Sequence, residues 1–121
     1  MANILIVDDD VDIATGIAVE LTSAGHRVRA AHDGVDGLRQ VAEEVPDLIV
    51  LDVQMPLLDG PGMAEALAIE RAGQRQLPIV LMSAGGKLET IARWVGTPHF
   101  LKKPFSLGRL VALVNDALRG E

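Results

Sequence analysis

The feature that most constrains this chain is an alternation of short apolar runs with helix-periodic segments, repeated five times from end to end. Strong runs occupy residues 4–7, 48–51, 79–82 and 100–101, and a weaker β-prone segment, Arg27–Ala31, falls between the first two. Each is bounded by charged or turn-forming residues, as expected of strands buried on both faces. Between them lie helical faces. Ile13, Ile17 and Leu21 share one, with Asp10 placed to cap its start and Gly25 placed for a left-handed C-cap. Leu38, Val41, Ala42 and Val45 make a second, ended by Pro46. Pro61 suits a first helical turn, followed by Met63 and Leu67 and a stop at Gly73. A fourth helix is expected over about residues 87–95. Ser106 caps the last, whose face carries Leu107, Leu110, Val111, Val114 and Leu118. Five strand–helix units in one chain imply an α/β fold, a parallel sheet with helices on both sides. Gly16 and Gly37 weaken their helices, and close packing is the only reason the sequence offers for them.

At 121 residues, with no linker-like or low-complexity tract, residues 1–121 read as a single domain. Nearly half the residues are apolar but only 2% are aromatic, so the core must be built from Ile, Leu, Val and Ala. The net charge of −6, with no basic cluster, argues against direct nucleic-acid binding. Cysteine is absent, which excludes disulfides and thiolate chemistry and suits a reducing compartment. No run is long enough to span a membrane, and the N-terminus has no signal-peptide pattern, so a cytoplasmic location is expected.

In open parallel sheets, ligands bind beyond the carboxyl ends of the strands. The unusual polar residues of this chain fall at those ends. Asp8 and Asp9 close the first strand, Asp52 the third, Ser83 the fourth and Lys103 the fifth. Carboxylates brought this close repel one another unless a cation relieves them, and an all-oxygen site suits Mg²⁺. A carboxylate nucleophile held between a divalent metal and an ammonium is what phosphoryl transfer requires, with the Ser83 hydroxyl as a further donor. The nucleophile is already ionised at neutral pH, so no general base is needed.

Val7-Asp8-Asp9, Asp52 with Met55-Pro56 and Asp59-Gly60, Ser83-Ala84, and Lys103-Pro104-Phe105 together resemble the receiver domain of two-component response regulators. The resemblance runs the length of the chain. It implies a flavodoxin-like, doubly wound sheet of five parallel strands in the order 2-1-3-4-5, with five helices. It also implies that Asp52 accepts a phosphoryl group from a phosphohistidine on a sensor histidine kinase or histidine phosphotransfer protein. Asp9, Asp52 and the backbone carbonyl of Gln54 would ligate Mg²⁺, with Asp8 acting through water. Ser83 and Lys103 would bind the phosphoryl oxygens, Phe100 would be the aromatic switch, and the Lys103–Pro104 bond would be cis. A downstream protein target is implied but not identified. The stretch from Ser83 to Lys103 is about two residues shorter than the family pattern, and Gly96-Thr97-Pro98 replaces its usual Gly-Ala pair. That departure bears on the fourth helix rather than on the pocket.

Each residue alone has a plainer reading. Asp8-Asp9-Asp10 could be a solvated turn and helix cap, Asp52 a strand end, Ser83 a loop hydroxyl and Lys103 surface charge. Phe100 could be plain core, and Phe105 reads as core. His26, His32 and His99 lack metal-ligand spacing. Trp94 reads as packing of the fourth helix or part of a partner surface. Two rival functions also remain open: a phosphorylation-independent interaction module, and an aspartate-based phosphatase. The second is disfavoured because Gln54 stands where such enzymes place a second Asp. A flavin or nucleotide carrier would need a phosphate loop where this chain has three Asp residues.

Overall fold

The structure is a computed structural model that describes residues 1–120. Five strands and five helices alternate: β1 (Asn3–Val7), α1 (Val11–Ser23), β2 (Arg27–Ala31), α2 (Gly34–Glu43), β3 (Leu48–Asp52), α3 (Gly60–Glu70), β4 (Ile79–Ser83), α4 (Leu88–Val95), β5 (Phe100–Lys102) and α5 (Leu107–Arg119). All strands pair in parallel, in the order β2-β1-β3-β4-β5. This is the doubly wound architecture anticipated above.

The apolar runs work because the sheet is covered on both sides. Side chains alternate across a strand, so Ile4, Ile6, Leu48, Val50, Val80 and Met82 face α1 and α5. Their neighbours Leu5, Val7, Ile49, Leu51 and Leu81 face α2, α3 and α4. With no solvent face left, alternation gives way to continuous hydrophobicity. Burying each such side chain contributes about 2 kcal/mol, which fixes the register of the three central strands. The chain reverses its direction of winding between β1 and β3, and the crevice beyond their carboxyl ends is where polar chemistry collects.

Helix ends follow local rules in most places. Asp10 caps α1 by accepting from the Asp12 and Ile13 amides, and Gly25 has φ +98° just beyond the helix. Ser106 caps α5 and accepts from the Arg109 amide. The end of α2 differs from expectation. The helix stops at Glu43, and both Ala42 and Val45 lie on the exposed side. Pro46 disfavours helical geometry at the residue before it. The Arg29 guanidinium, reaching over from β2, donates to the carbonyls of Gln40 and Glu44 at 3.1 and 2.7 Å. A charged donor on the last carbonyls closes the helix early.

The two helical glycines also separate. A Cβ on Gly37 would stand 2.8 Å from the sulfur of Met63, so close packing explains that one, whereas a Cβ on Gly16 would meet nothing within 4 Å outside its own helix backbone among the described residues. Trp94 is 63% exposed, which removes the packing interpretation. Phe105 joins the α1–α5 core, as expected.

Leu57 is the least comfortable residue. Its φ is +69°, it is 82% exposed, and the Leu58 N–H closes a three-residue turn around it by donating to the Pro56 carbonyl at 2.8 Å. Left-handed backbone costs a non-glycine residue about 1–2 kcal/mol, partly offset by the extra chain entropy of an unfolded glycine. Leu57→Gly should therefore raise stability by up to about 1 kcal/mol in urea unfolding; a clear loss would contradict the assigned backbone.

Candidate functional site

The rim beyond the carboxyl ends of β1 and β3 brings the three predicted carboxylates together. Oxygen atoms of Asp8, Asp9 and Asp52 all lie within 4.8 Å of one another. Asp8 follows β1 and is fully buried, Asp52 ends β3 and is 4% exposed, and Asp9 is open to solvent. Asp10 is not part of the cluster; it is the α1 cap.

Both oxygens of Asp8 are engaged. Oδ1 accepts from the Asp10 amide at 2.9 Å, and Oδ2 accepts from Lys103 Nζ at 2.9 Å. The same ammonium lies 3.3 Å from Asp52 Oδ1. Lys103 thus ties the far end of β5 to β1 and β3, and its amide donates to the Ser83 carbonyl at 2.8 Å. The Lys103–Pro104 peptide bond is cis. Burial lowers the affinity of the Lys103 ammonium for its proton. The Asp8 hydrogen bond and the charges of Asp52 and Asp8 outweigh that, so its pKa lies above the ordinary lysine value.

One ammonium does not balance three carboxylates. Asp52 carries the consequence: burial first, then repulsion from Asp8, pushes its carboxyl up to about 6, against the partial relief of Lys103. A cluster whose own cation leaves excess negative charge, built only from oxygen donors, fits a hard divalent ion.

Ser83 ends β4 and is buried, one residue beyond Met82, the registry partner of Asp52. Its Oγ accepts from the Gly85 amide at 2.9 Å. Gln54 is exposed in the loop after β3, and its side-chain nitrogen stands 3.2 Å from where a Cβ on Gly85 would be. The loops after β3 and β4 therefore approach each other above the rim. Phe100 lies at the opposite end of β5 from Lys102, half-buried against the α2–α4 side of the core.

Three residues have supporting roles that the sequence alone does not assign. His32 Nδ1 lies 3.1 Å from the Asp8 carbonyl oxygen and holds the backbone that carries the carboxylate. Gly60 packs its Cα against the Asp52 carbonyl, and Gly34 packs against Leu58. Glycine directly after a capping Asp, at Asp33-Gly34 and Asp59-Gly60, was the available signal.

Comparison with known proteins agrees with this fold. The family model described as the response regulator receiver domain matches residues 4–115. Transcriptional regulatory protein PrrA of Mycobacterium tuberculosis (strain ATCC 25618 / H37Rv) is 38% identical over 118 residues, which cover 96% of this chain and 49% of PrrA. Response regulator MprA of Mycobacterium avium (strain 104) is also 38% identical, with 96% and 50% covered. The chain spans about half the length of these curated relatives. Among solved structures, the receiver domain of NtrX from Brucella abortus superposes with a TM-score of 0.86 at 32% identity, covering 98% of this chain and 99% of that one. Chemotaxis response regulator CheY4 of Vibrio cholerae gives 0.87 at 28% identity, covering 97% and 98%.

Proposed function

This chain belongs to the response regulator receiver domain family, and from that premise we propose that residues 1–121 form one phosphoacceptor domain with Asp52 as the acceptor. The observation that carries the reading is the meeting of Asp8, Asp9, Asp52 and Lys103 at the crevice where the sheet reverses its winding. In the proposed reaction an Asp52 oxygen forms a bond to phosphorus as the phosphorus–nitrogen bond of a phosphohistidine breaks. The electron pair leaves with the imidazole, and a carboxyl oxygen becomes an acyl phosphate. The donor would be a sensor histidine kinase or histidine phosphotransfer protein.

Asp9 and Asp52 would hold Mg²⁺ directly, with Gln54 contributing its backbone carbonyl. Asp8, whose two oxygens are already engaged, would act through water. When bound, the ion would offset the carboxylate charge and the charge developing on the phosphoryl oxygens. Lys103 sits against Asp52 and can ion-pair with one of those oxygens. The Ser83 hydroxyl accepts from Gly85 with its lone pair, which leaves its hydrogen free to donate to another. No second carboxylate follows two residues after Asp52. Gln54 occupies that position and cannot serve as acid–base for turnover, so the domain's only chemistry would be gain and loss of its own phosphoryl group.

Movement of Ser83 toward the new phosphoryl group would free space for Phe100 and change the face formed by α4, β5 and α5, where a downstream protein target would read the switch. Among the described residues no helix is long and apolar enough to cross a membrane.

Acetyl phosphate with Mg²⁺ is expected to add one hydroxylamine-labile phosphate, located by peptide mass spectrometry on the segment containing Asp52. Chelation with EDTA should slow labelling by about a hundredfold or more. Label on a different residue, or undiminished label in EDTA, would defeat the proposal.

A further inference from the structure

We propose that the cleft between the C-terminal ends of α3 and α4 is a docking site for an acidic, leucine-bearing segment of a partner protein. It lies beside the start of β4, at the opposite end of the sheet from the carboxylate rim, and does not rest on the phosphoacceptor assignment.

The cleft grows out of the sequence departure near α4. That helix ends at Val95 after only eight residues, and Gly96 turns the chain with φ +92°. Buried Thr97 then fastens the turn to the sheet, its hydroxyl donating to the Ile79 carbonyl at 2.6 Å and accepting from the His99 amide at 3.1 Å. A hollow of about 270 Å³ is left, floored by Leu67, Ala68, Leu77, Ile79 and Val95. A second hollow of about 270 Å³ adjoins it and shares Gln76, Leu77, Ile79 and Val95, so the two form one trough.

Charge decides the occupant. Among the described residues no acidic side chain lines either hollow, whereas Arg71 and Arg75 stand on the first. Arg27, Arg39, Arg93 and Arg119 each have a carboxylate partner, but among the described residues neither Arg71 nor Arg75 forms an ion pair. Among the described residues Arg71 donates through Nη2 only to the Arg75 carbonyl, at 3.2 Å, and its Nε, like that of Arg29, is buried with no acceptor; of the two, only Arg71 lines a hollow. A buried guanidinium N–H without a partner is uncommon, and a carboxylate is its best acceptor because two parallel hydrogen bonds form at once. The apolar floor needs an aliphatic side chain, which a small inorganic anion cannot supply. Carboxylates on Arg71 and Arg75 with a leucine in the trough satisfy both demands.

The test uses two capped pentapeptides, Asp-Glu-Leu-Asp-Leu and its uncharged counterpart Asn-Gln-Leu-Asn-Leu, titrated into the whole chain by NMR. The acidic peptide should shift the amides of Leu77, Ile79 and Val95, and the uncharged one should bind roughly tenfold more weakly. Arg75→Glu, at an exposed position that folding tolerates, should weaken binding by a similar factor; Arg71→Ala should do so with Arg71→Lys intermediate. Any of four results would overturn the proposal: no shift at millimolar peptide, shifts centred on Lys102 and Arg109 instead, equal binding by Arg75→Glu, or the same shifts from sodium sulfate alone. Closure of the trough by self-association, seen as concentration-dependent sedimentation without peptide, would also overturn it.

Discussion

Asp52→Asn should lose all phosphate acceptance and, in EDTA at neutral pH, gain about 2–3 kcal/mol of stability. The two effects share one cause. Asp52 is 4% exposed, and burial followed by repulsion from Asp8 pushes its carboxyl from 3.8 up to about 6. Such a shift of roughly two pH units corresponds to about 3 kcal/mol between the protonation states. Its sign follows from linkage. Between the unfolded value near 3.8 and the folded value near 6, the native chain binds more protons than the unfolded one, so raising the pH destabilises the fold. An amide at this position carries no such penalty.

The advantage of Asp52→Asn should therefore be absent below about pH 4, grow to about pH 6 and level off beyond it. Lys103 keeps Asp8 as a partner, which limits the offsetting loss. Added Mg²⁺ should narrow the gap, because the ion proposed to sit on the native carboxylate would stabilise the unsubstituted chain by mass action. Urea midpoints across that range, with and without Mg²⁺, make the measurement. Equal or lower stability of Asp52→Asn in EDTA at pH 7 would mean that the carboxylate cluster is not electrostatically loaded as described.

What the sequence made legible was whatever is written locally or periodically. Strand ends are visible because a polar residue closes each apolar run, which is how the sequence alone places Asp8, Asp52, Ser83 and Lys103 at one rim. The sheet order was reached through the family resemblance rather than through the runs themselves. Long-range contacts were not legible. Nothing near Glu43 announces that Arg29 will cross from β2 to close α2, so the pattern extends the buried face to Val45, which lies beyond the helix, while Ala42 lies within it on the exposed side. Gly16 and Gly37 look alike in one dimension, yet only Gly37 meets Met63. The hollow beside Val95 exists because Thr97 is anchored to Ile79, a pairing between residues far apart in sequence.

Gly60 tests the same distinction with the larger steric effect. A Cβ there would stand 2.3 Å from the Asp52 carbonyl oxygen and 3.0 Å from the Val53 Cα, both backbone atoms that cannot rotate away. The Gly60 amide also donates to the Val53 carbonyl at 2.9 Å, so α3 begins directly against the residue that follows Asp52. Its backbone needs no left-handed geometry; the requirement is purely one of space. Gly60→Ala must push the loop after β3 away from the rim, and we expect a loss of about 3 kcal/mol or more, with weaker Mg²⁺ binding because the Asp52 backbone moves. Gly16→Ala is the matched control. It lies within α1, where an added Cβ would meet no described atom within 4 Å outside the helix backbone, and should gain about 0.5–1 kcal/mol from helix propensity alone. If urea unfolding ranked the two substitutions alike, the close approach of α3 to the end of β3 would be wrong, and with it the claim that this contact holds Asp52 in place.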